Sequence, residues 1–176
     1  MPRREDPPME ITNVTFDELA IGDGIEVSRL VTARDVELFA VVSGDHNPLH
    51  LDPDYGATTQ FGECIGHGML IGAFVSAMIG MEFMGPGTVY LGQNLEFRSP
   101  IFLGDTLTLA LTVTEKHHRK PWVTMALKVT NQDGKEVSRG ESRVIAPTEK
   151  QTLKVVPPPP VELLDHDSPR LDGAMN

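Results

Sequence analysis

The sequence predicts an α+β domain in which an antiparallel β-sheet of about five strands packs its apolar face against one central buried helix. Three observations predict it. The run Gly68–Met81, GMLIGAFVSAMIGM, is apolar on almost every side, which suits a helix enclosed by a core and not one lying on a surface. From Val89 onward the hydrophobic period changes to two, the spacing of a half-buried strand. Finally, Asn131-Gln132-Asp133-Gly134 stands between two such segments and reads as the turn of a hairpin.

The elements follow in chain order. Thr15 and Glu18 form a capping-box pair over a short helical turn at Phe16–Leu19. A strand is expected near Gly24–Val31. Thr32 can then cap a helix whose Val36, Phe39 and Ala40 share one face. Asp52 before Pro53 can open another short helix over Asp54–Thr59, because proline suits the first helical position. Beyond Pro86 and Gly87, one strand alternates Val89, Leu91, Gln93, Leu95 and Phe97. The next sets Leu107, Leu109, Leu111 and Val113 against threonines, a third alternates Val123, Met125, Leu127 and Val129, and the hairpin returns as Val137–Ile145.

Prolines mark the ends. Pro2, Pro7 and Pro8 stiffen the N-terminus, and Pro157 to Pro160 favour an extended polyproline II segment. The expected organisation is a flexible N-terminus at 1–10, one domain at 11–147 and a proline-rich C-terminal tail at 148–176. Val161, Leu163 and Leu164 give that tail an apolar patch able to dock, although a loose tail is the plainer reading.

Composition narrows the function. A chain of 176 residues fits one domain of about 150 residues. A formal net charge of −10 opposes attraction to nucleic acid or to anionic membrane surfaces. The longest apolar run falls short of the roughly 20 residues that a membrane span needs. Cys64 is the single cysteine, which excludes an intrachain disulfide and suits a reducing compartment. The first residues lack the apolar stretch of a secretory signal, so a cytoplasmic location is expected.

The ionisable groups concentrate in Ser43-Gly44-Asp45-His46-Asn47-Pro48-Leu49-His50-Leu51-Asp52. Asp45 and His50 flank a proline that biases Asn47 toward extended geometry, so the segment can curl and bring acid and imidazole together. Such a pair can hold a water, one group accepting its proton and the other donating. Gly66-His67-Gly68-Met69 stands where the buried helix should begin, and glycine leaves the backbone N–H groups unobstructed. Those donors, at the positive end of the helix, can stabilise an oxyanion on a carbonyl. Addition to a double bond conjugated with a carbonyl and hydrolysis of a thioester both fit this chemistry.

The run FAVVSGDHNPLHLDPDYGATTQFGECIGHGML, followed by YLGQNLEFRSPIFLGDTL, resembles the MaoC-like dehydratase family, especially its (R)-specific enoyl-CoA hydratases. The resemblance spans about Ile11–Ala146. It implies a hot dog fold, a curved antiparallel sheet wrapped around a central helix, and a homodimer. It implies Asp45 and His50 as the catalytic pair and Gly68 as the residue whose N–H binds the thioester oxygen. Asn47, Ser76 and His67 become the substrate-binding positions. The implied substrate is an acyl-CoA thioester or its acyl-carrier-protein counterpart. No cofactor and no metal are implied, because the thioester itself acidifies the α-carbon.

Other readings of the same residues are open. Asp45, His46, His50, Asp52 and His67 are metal-ligand types, although no recognised ligand spacing appears. Cys64 with His67 could act as thiol and base, and Met69, Met78, Met81 and Met84 could line an acyl tunnel or simply fill the core. A hot dog thioesterase and a non-catalytic acyl-thioester binding subunit are the functional alternatives. Only Arg29, Arg34 and Arg98 are basic between residues 11 and 114. The stretch with Lys116, Arg119, Lys120, Lys128, Lys135, Arg139 and Arg143 is therefore the expected place for coenzyme A phosphates, unless it is an ordinary solvated strand face.

Overall fold

A computed structural model describes residues 9–163. Residues 1–8, most of the segment expected to be flexible, and Leu164 of the tail patch lie outside that range. The strands are β1 (Glu10–Thr12), β2 (Gly24–Leu30), β3 (Val89–Phe97), β4 (Thr106–Lys116), β5 (Trp122–Thr130), β6 (Glu136–Ile145) and β7 (Thr152–Lys154). The helices are α1 (Ala33–Ser43), α2 (Pro48–Leu51), α3 (Pro53–Thr58) and α4 (Gly68–Ala77), with a 3-10 turn at Phe16–Glu18. A π-helical turn, Met78–Phe83, prolongs α4. Among the described residues no helix is long and apolar enough to cross a membrane.

Five strands form one antiparallel sheet in the order β2-β4-β5-β6-β3. Its inner face is the stripe predicted by the period of two. Leu107, Leu109, Leu111 and Val113 on β4 meet Leu70, Ile71, Val75, Met78 and Ile79 of the α4 segment in one core cluster, together with Val123, Met125, Leu127 and Val129 on β5. Each such side chain contributes roughly 1.5–3 kcal/mol on burial, so this layer pair dominates the stability. On β6 the inner face is small and polar: Ser142 Oγ donates to Gln93 Oε1 (2.6 Å) and Ser138 Oγ to the Glu96 carbonyl (3.1 Å). A Cβ at Gly140 would stand 1.9 Å from the Asn94 carbonyl oxygen, so the absence of a side chain there lets β3 lie close against β6.

The helix starts obey local chemistry. Thr32 Oγ1 accepts from Asp35 N, while the Asp35 carboxylate accepts from Thr32 N, a reciprocal cap that fixes where α1 begins. Gly44 ends α1 in the left-handed region at φ 76°, which glycine adopts at little cost. Asn47 is extended, as a residue before proline should be, and its side chain accepts from Leu49 N. Pro48 then opens α2 where an irregular curl was expected, since at the first helical position its missing N–H costs nothing. Asp52 caps α3 through Asp54 N and Tyr55 N.

Two features depart from the sequence reading. The segment α4 is not enclosed: Met69, Ala73, Ser76, Ala77 and Met81 are exposed, recurring at helical spacing along one face. Beside them β3 is an edge strand with Val89, Tyr90, Leu91 and Phe97 exposed. Apolarity on every side called for covering, and a single chain covers only part of it. The second departure is the ribbon β1–β7, in which Glu10 lies opposite Lys154 and Thr12 opposite Thr152. It runs beyond position 147, and Val155 N then donates to the Met9 carbonyl while Arg34 Nη2 donates to the Val161 carbonyl.

Candidate active site

Asp45, His50 and His67 converge, with ligand-type atoms all within 4.8 Å of one another. Three local structures bring them together. The left-handed Gly44 turns the chain out of α1 into Asp45, α2 carries His50 back one turn later, and His67 is the residue that caps α4.

His50 Nδ1 lies 2.8 Å from the Ile65 carbonyl oxygen. A carbonyl can only accept, so Nδ1 carries the proton and the Nε2 lone pair of neutral His50 is free to face a substrate or a water. The Asp45 side chain is 52% exposed, and its Oδ1 accepts from Asn47 N at 3.3 Å. Asn47 thus shapes the turn between acid and imidazole. The donor set could suggest a metal, but His67 Nε2 is engaged with the Asp45 carbonyl at 3.0 Å and His50 Nδ1 with Ile65. Those bonds compete with metal coordination and leave the His50 lone pair and the Asp45 carboxylate as the groups presented outward.

Gly68 is the first residue of α4, where N–H groups have no carbonyl one turn back to bond. Its neighbours define a cavity of about 350 Å³ lined by Phe61, Ile65, Phe97, Arg98 and Ile101 among others. A second cavity of about 360 Å³ lies beside His50, with Val36, Glu37, Pro53, Cys64 and Leu103 in its walls. Ile65 touches both surroundings, its carbonyl bonded to His50 and the residue lining the Gly68 cavity.

Each expected residue can be placed. Asp45, Asn47, His50, His67 and Gly68 come together. Ser76 does not join them within one chain: it lies on the exposed face of α4, eight residues or about 12 Å of helix rise from Gly68. His67 is 2% exposed and sits behind the pair, so it offers a substrate no surface. His46 is exposed. Burial pushes the Cys64 thiol above its ordinary value, with Asp52 and Glu63 adding to the effect, which opposes a reactive thiolate. Met78 and Met84 are buried in the core, whereas Met69 and Met81 are exposed. Lys128, Arg139 and Arg143 alternate with buried residues and so occupy the outer face of the sheet, away from α4, where Arg139 Nε donates to Glu96 Oε2 at 2.8 Å. The cation beside Gly68 is Arg98, itself paired with Glu96.

Sequence reasoning missed Ile65, which acts through a backbone carbonyl, and Phe97, whose ring atoms would stand 3.2 Å from a Cβ on Gly68. Phe97 had a readable signal as the last member of the period-two stripe facing α4. Gly66 has a steric reason as well, since a Cβ there would meet Ile101 Cγ1 at 2.9 Å.

A five-stranded antiparallel sheet with a central helix defines a hot dog domain, and here an acid–imidazole cluster stands beside that helix's first residue. The chain belongs to the MaoC-like domain family, whose sequence profile matches residues 19–135. It is 40% identical over 134 residues to an (R)-specific enoyl-CoA hydratase of Aeromonas caviae, covering 76% of this chain and 100% of the relative. It is 34% identical to a mitochondrial 3-hydroxyacyl-[acyl-carrier-protein] dehydratase of Arabidopsis thaliana, covering 73% of this chain and 78% of the relative. Among solved structures, the unliganded R-hydratase PhaJ1 of Pseudomonas aeruginosa superposes with a TM-score of 0.84 at 47% identity, covering 88% of this chain and 99% of that one.

Proposed function

We propose that the protein is an (R)-specific enoyl-CoA hydratase, a hydro-lyase that adds water across trans-2-enoyl-CoA to give (R)-3-hydroxyacyl-CoA or runs the reverse dehydration. The observation that carries this reading is the meeting of Asp45 and His50 beside the first residue of α4. The thioester carbonyl rests on the Gly68 N–H, which draws electron density from C3. Asp45 and the His50 Nε2 lone pair hold a water against C3, Asp45 taking a proton as the C–O bond forms. A proton is returned to C2 from the same pair, giving the saturated 3-hydroxyacyl product. No cofactor enters these steps, because the thioester supplies the acidity at C2. Relatives named for both CoA and acyl-carrier-protein substrates support acyl thioesters as the substrate class.

The same reading pairs two copies of the chain. The exposed stripe on α4 and the unpaired edge of β3 are contiguous, and a second copy joining edge to edge covers both, with Ser76 in the interface. The test of the chemistry is hydration of crotonyl-CoA by wild type, Asp45→Asn and His50→Ala. Expected are loss of enoyl-thioester absorbance without thiol release, an (R) product, and a fall of at least about 100-fold in each variant. Folded variants with wild-type turnover would overturn the assignment, and free thiol released from acyl-CoA would point to a thioesterase.

A further inference from the structure

We propose that His67 is a positioning residue that holds both members of the catalytic pair at once, an inference that rests on the hydratase reading and deepens it. His67 is 2% exposed, so its effect must pass through its neighbours. Its Nε2 lies 3.0 Å from the Asp45 backbone oxygen. That oxygen can only accept, so Nε2 carries the proton and Nδ1 carries a lone pair. Nδ1 is buried without a partner, an arrangement that proteins tolerate better for an acceptor than for an N–H. The two constraints select the same tautomer.

The ring also packs on His50, centroids 3.8 Å apart and planes inclined by 31°, with the Phe39 ring 4.9 Å from His67. One imidazole thereby ties the start of α4 to the backbone of Asp45 and to the plane of His50. Asp45 needs such a tie. It follows a glycine in the left-handed region, its N–H donates to Ser43 Oγ at 3.2 Å, and its carboxylate is half exposed. Reaction geometry tolerates little slip, since a displacement of about 1 Å costs on the order of 100-fold in rate.

The experiment compares wild type, His67→Phe and His67→Gln in crotonyl-CoA hydration, with ring-nitrogen NMR of the wild type. Phenylalanine keeps the ring packing and loses the donor; glutamine restores a donor near the Nε2 position. The expected result is a fall in kcat of about 10- to 100-fold for His67→Phe with KM within about twofold, and recovery of roughly tenfold in His67→Gln. The spectrum should show the Nε2–H tautomer at His67. A wild-type kcat in His67→Phe, a raised KM with unchanged kcat, equal impairment of both variants, or an Nδ1–H tautomer would each overturn the proposal. A folded wild type inert toward crotonyl-CoA would instead defeat the hydratase reading, and the tautomer would still decide the hydrogen bond.

Discussion

Gly68→Ala separates the chemistry of the helix start from its stability. A Cβ at this position would stand 3.2 Å from Cε1, Cε2 and Cζ of Phe97, close enough that the ring must yield by a few tenths of an ångström. Phe97 is 47% exposed and can move outward, so the steric cost to folding is small. Alanine gains roughly 0.5–1 kcal/mol over glycine in a helix interior, and at the first residue of α4 only part of that offsets the cost. The melting temperature should therefore stay within about 4 °C of wild type. Activity should not. The new methyl group sits beside the N–H proposed to receive the thioester oxygen, and full obstruction of one such donor would cost up to about 100- to 1,000-fold in kcat, or about 2.7–4 kcal/mol. The assay is crotonyl-CoA hydration with parallel thermal melts, and Gly68→Ala/Phe97→Leu serves as a control for ring displacement. Wild-type kcat in the single variant would refute the reasoning that the methyl group and the displaced ring obstruct access to this N–H. Full recovery in the double variant would show that the displaced ring, and not the covered donor, caused the loss.

Three further outcomes follow from the fold. Thr32→Ala removes the reciprocal cap of α1 and should cost about 1 kcal/mol by chemical denaturation. Glu18 is held at a pKa of about 2, below the ordinary 4.5, chiefly by Lys150 and then by Thr15. Because its folded value is depressed, its stabilising contribution is full above about 4.5 and fades as pH falls toward 2; the difference in melting temperature between wild type and Glu18→Gln should vanish across that window. Met81→Asp places a charge on the exposed stripe of α4 and should convert the proposed dimer to monomer in light scattering, whereas an unchanged mass would remove that stripe from the interface.

How much of this was legible depended on the range of the cause. The strands β4 and β5 could be read because every second residue meets the same core, a local pattern that Leu107 through Val113 display in full. The cap at Thr32 is local too. The ribbon β1–β7 gave no signal, since three residues are too few for a period and Thr12 pairs with Thr152 across most of the chain. Hydrophobicity announced α4 but could not distinguish a face covered by its own sheet from one left exposed. Asp45 and His50 could be found because motif and chemistry coincide in one short loop. His67 was expected as a substrate-binding position on the family resemblance alone. Only the packing of Phe39 and His50 against it reveals otherwise.

The ribbon joining the two ends of the described fold sets how the molecule responds to force. Beyond the Glu10–Lys154 pair the Val155 N–H to Met9 carbonyl bond closes its outer end, and both segments leave from there. Tension applied through residues 9 and 155 would therefore open the Met9–Val155 bond first and then load one residue pair at a time, peeling Glu10 from Lys154, then Ile11 from Leu153, then Thr12 from Thr152. The five-stranded sheet would bear load only afterwards. A short ladder placed there would act as a mechanical fuse, opening at low force before the five-stranded sheet begins to shear.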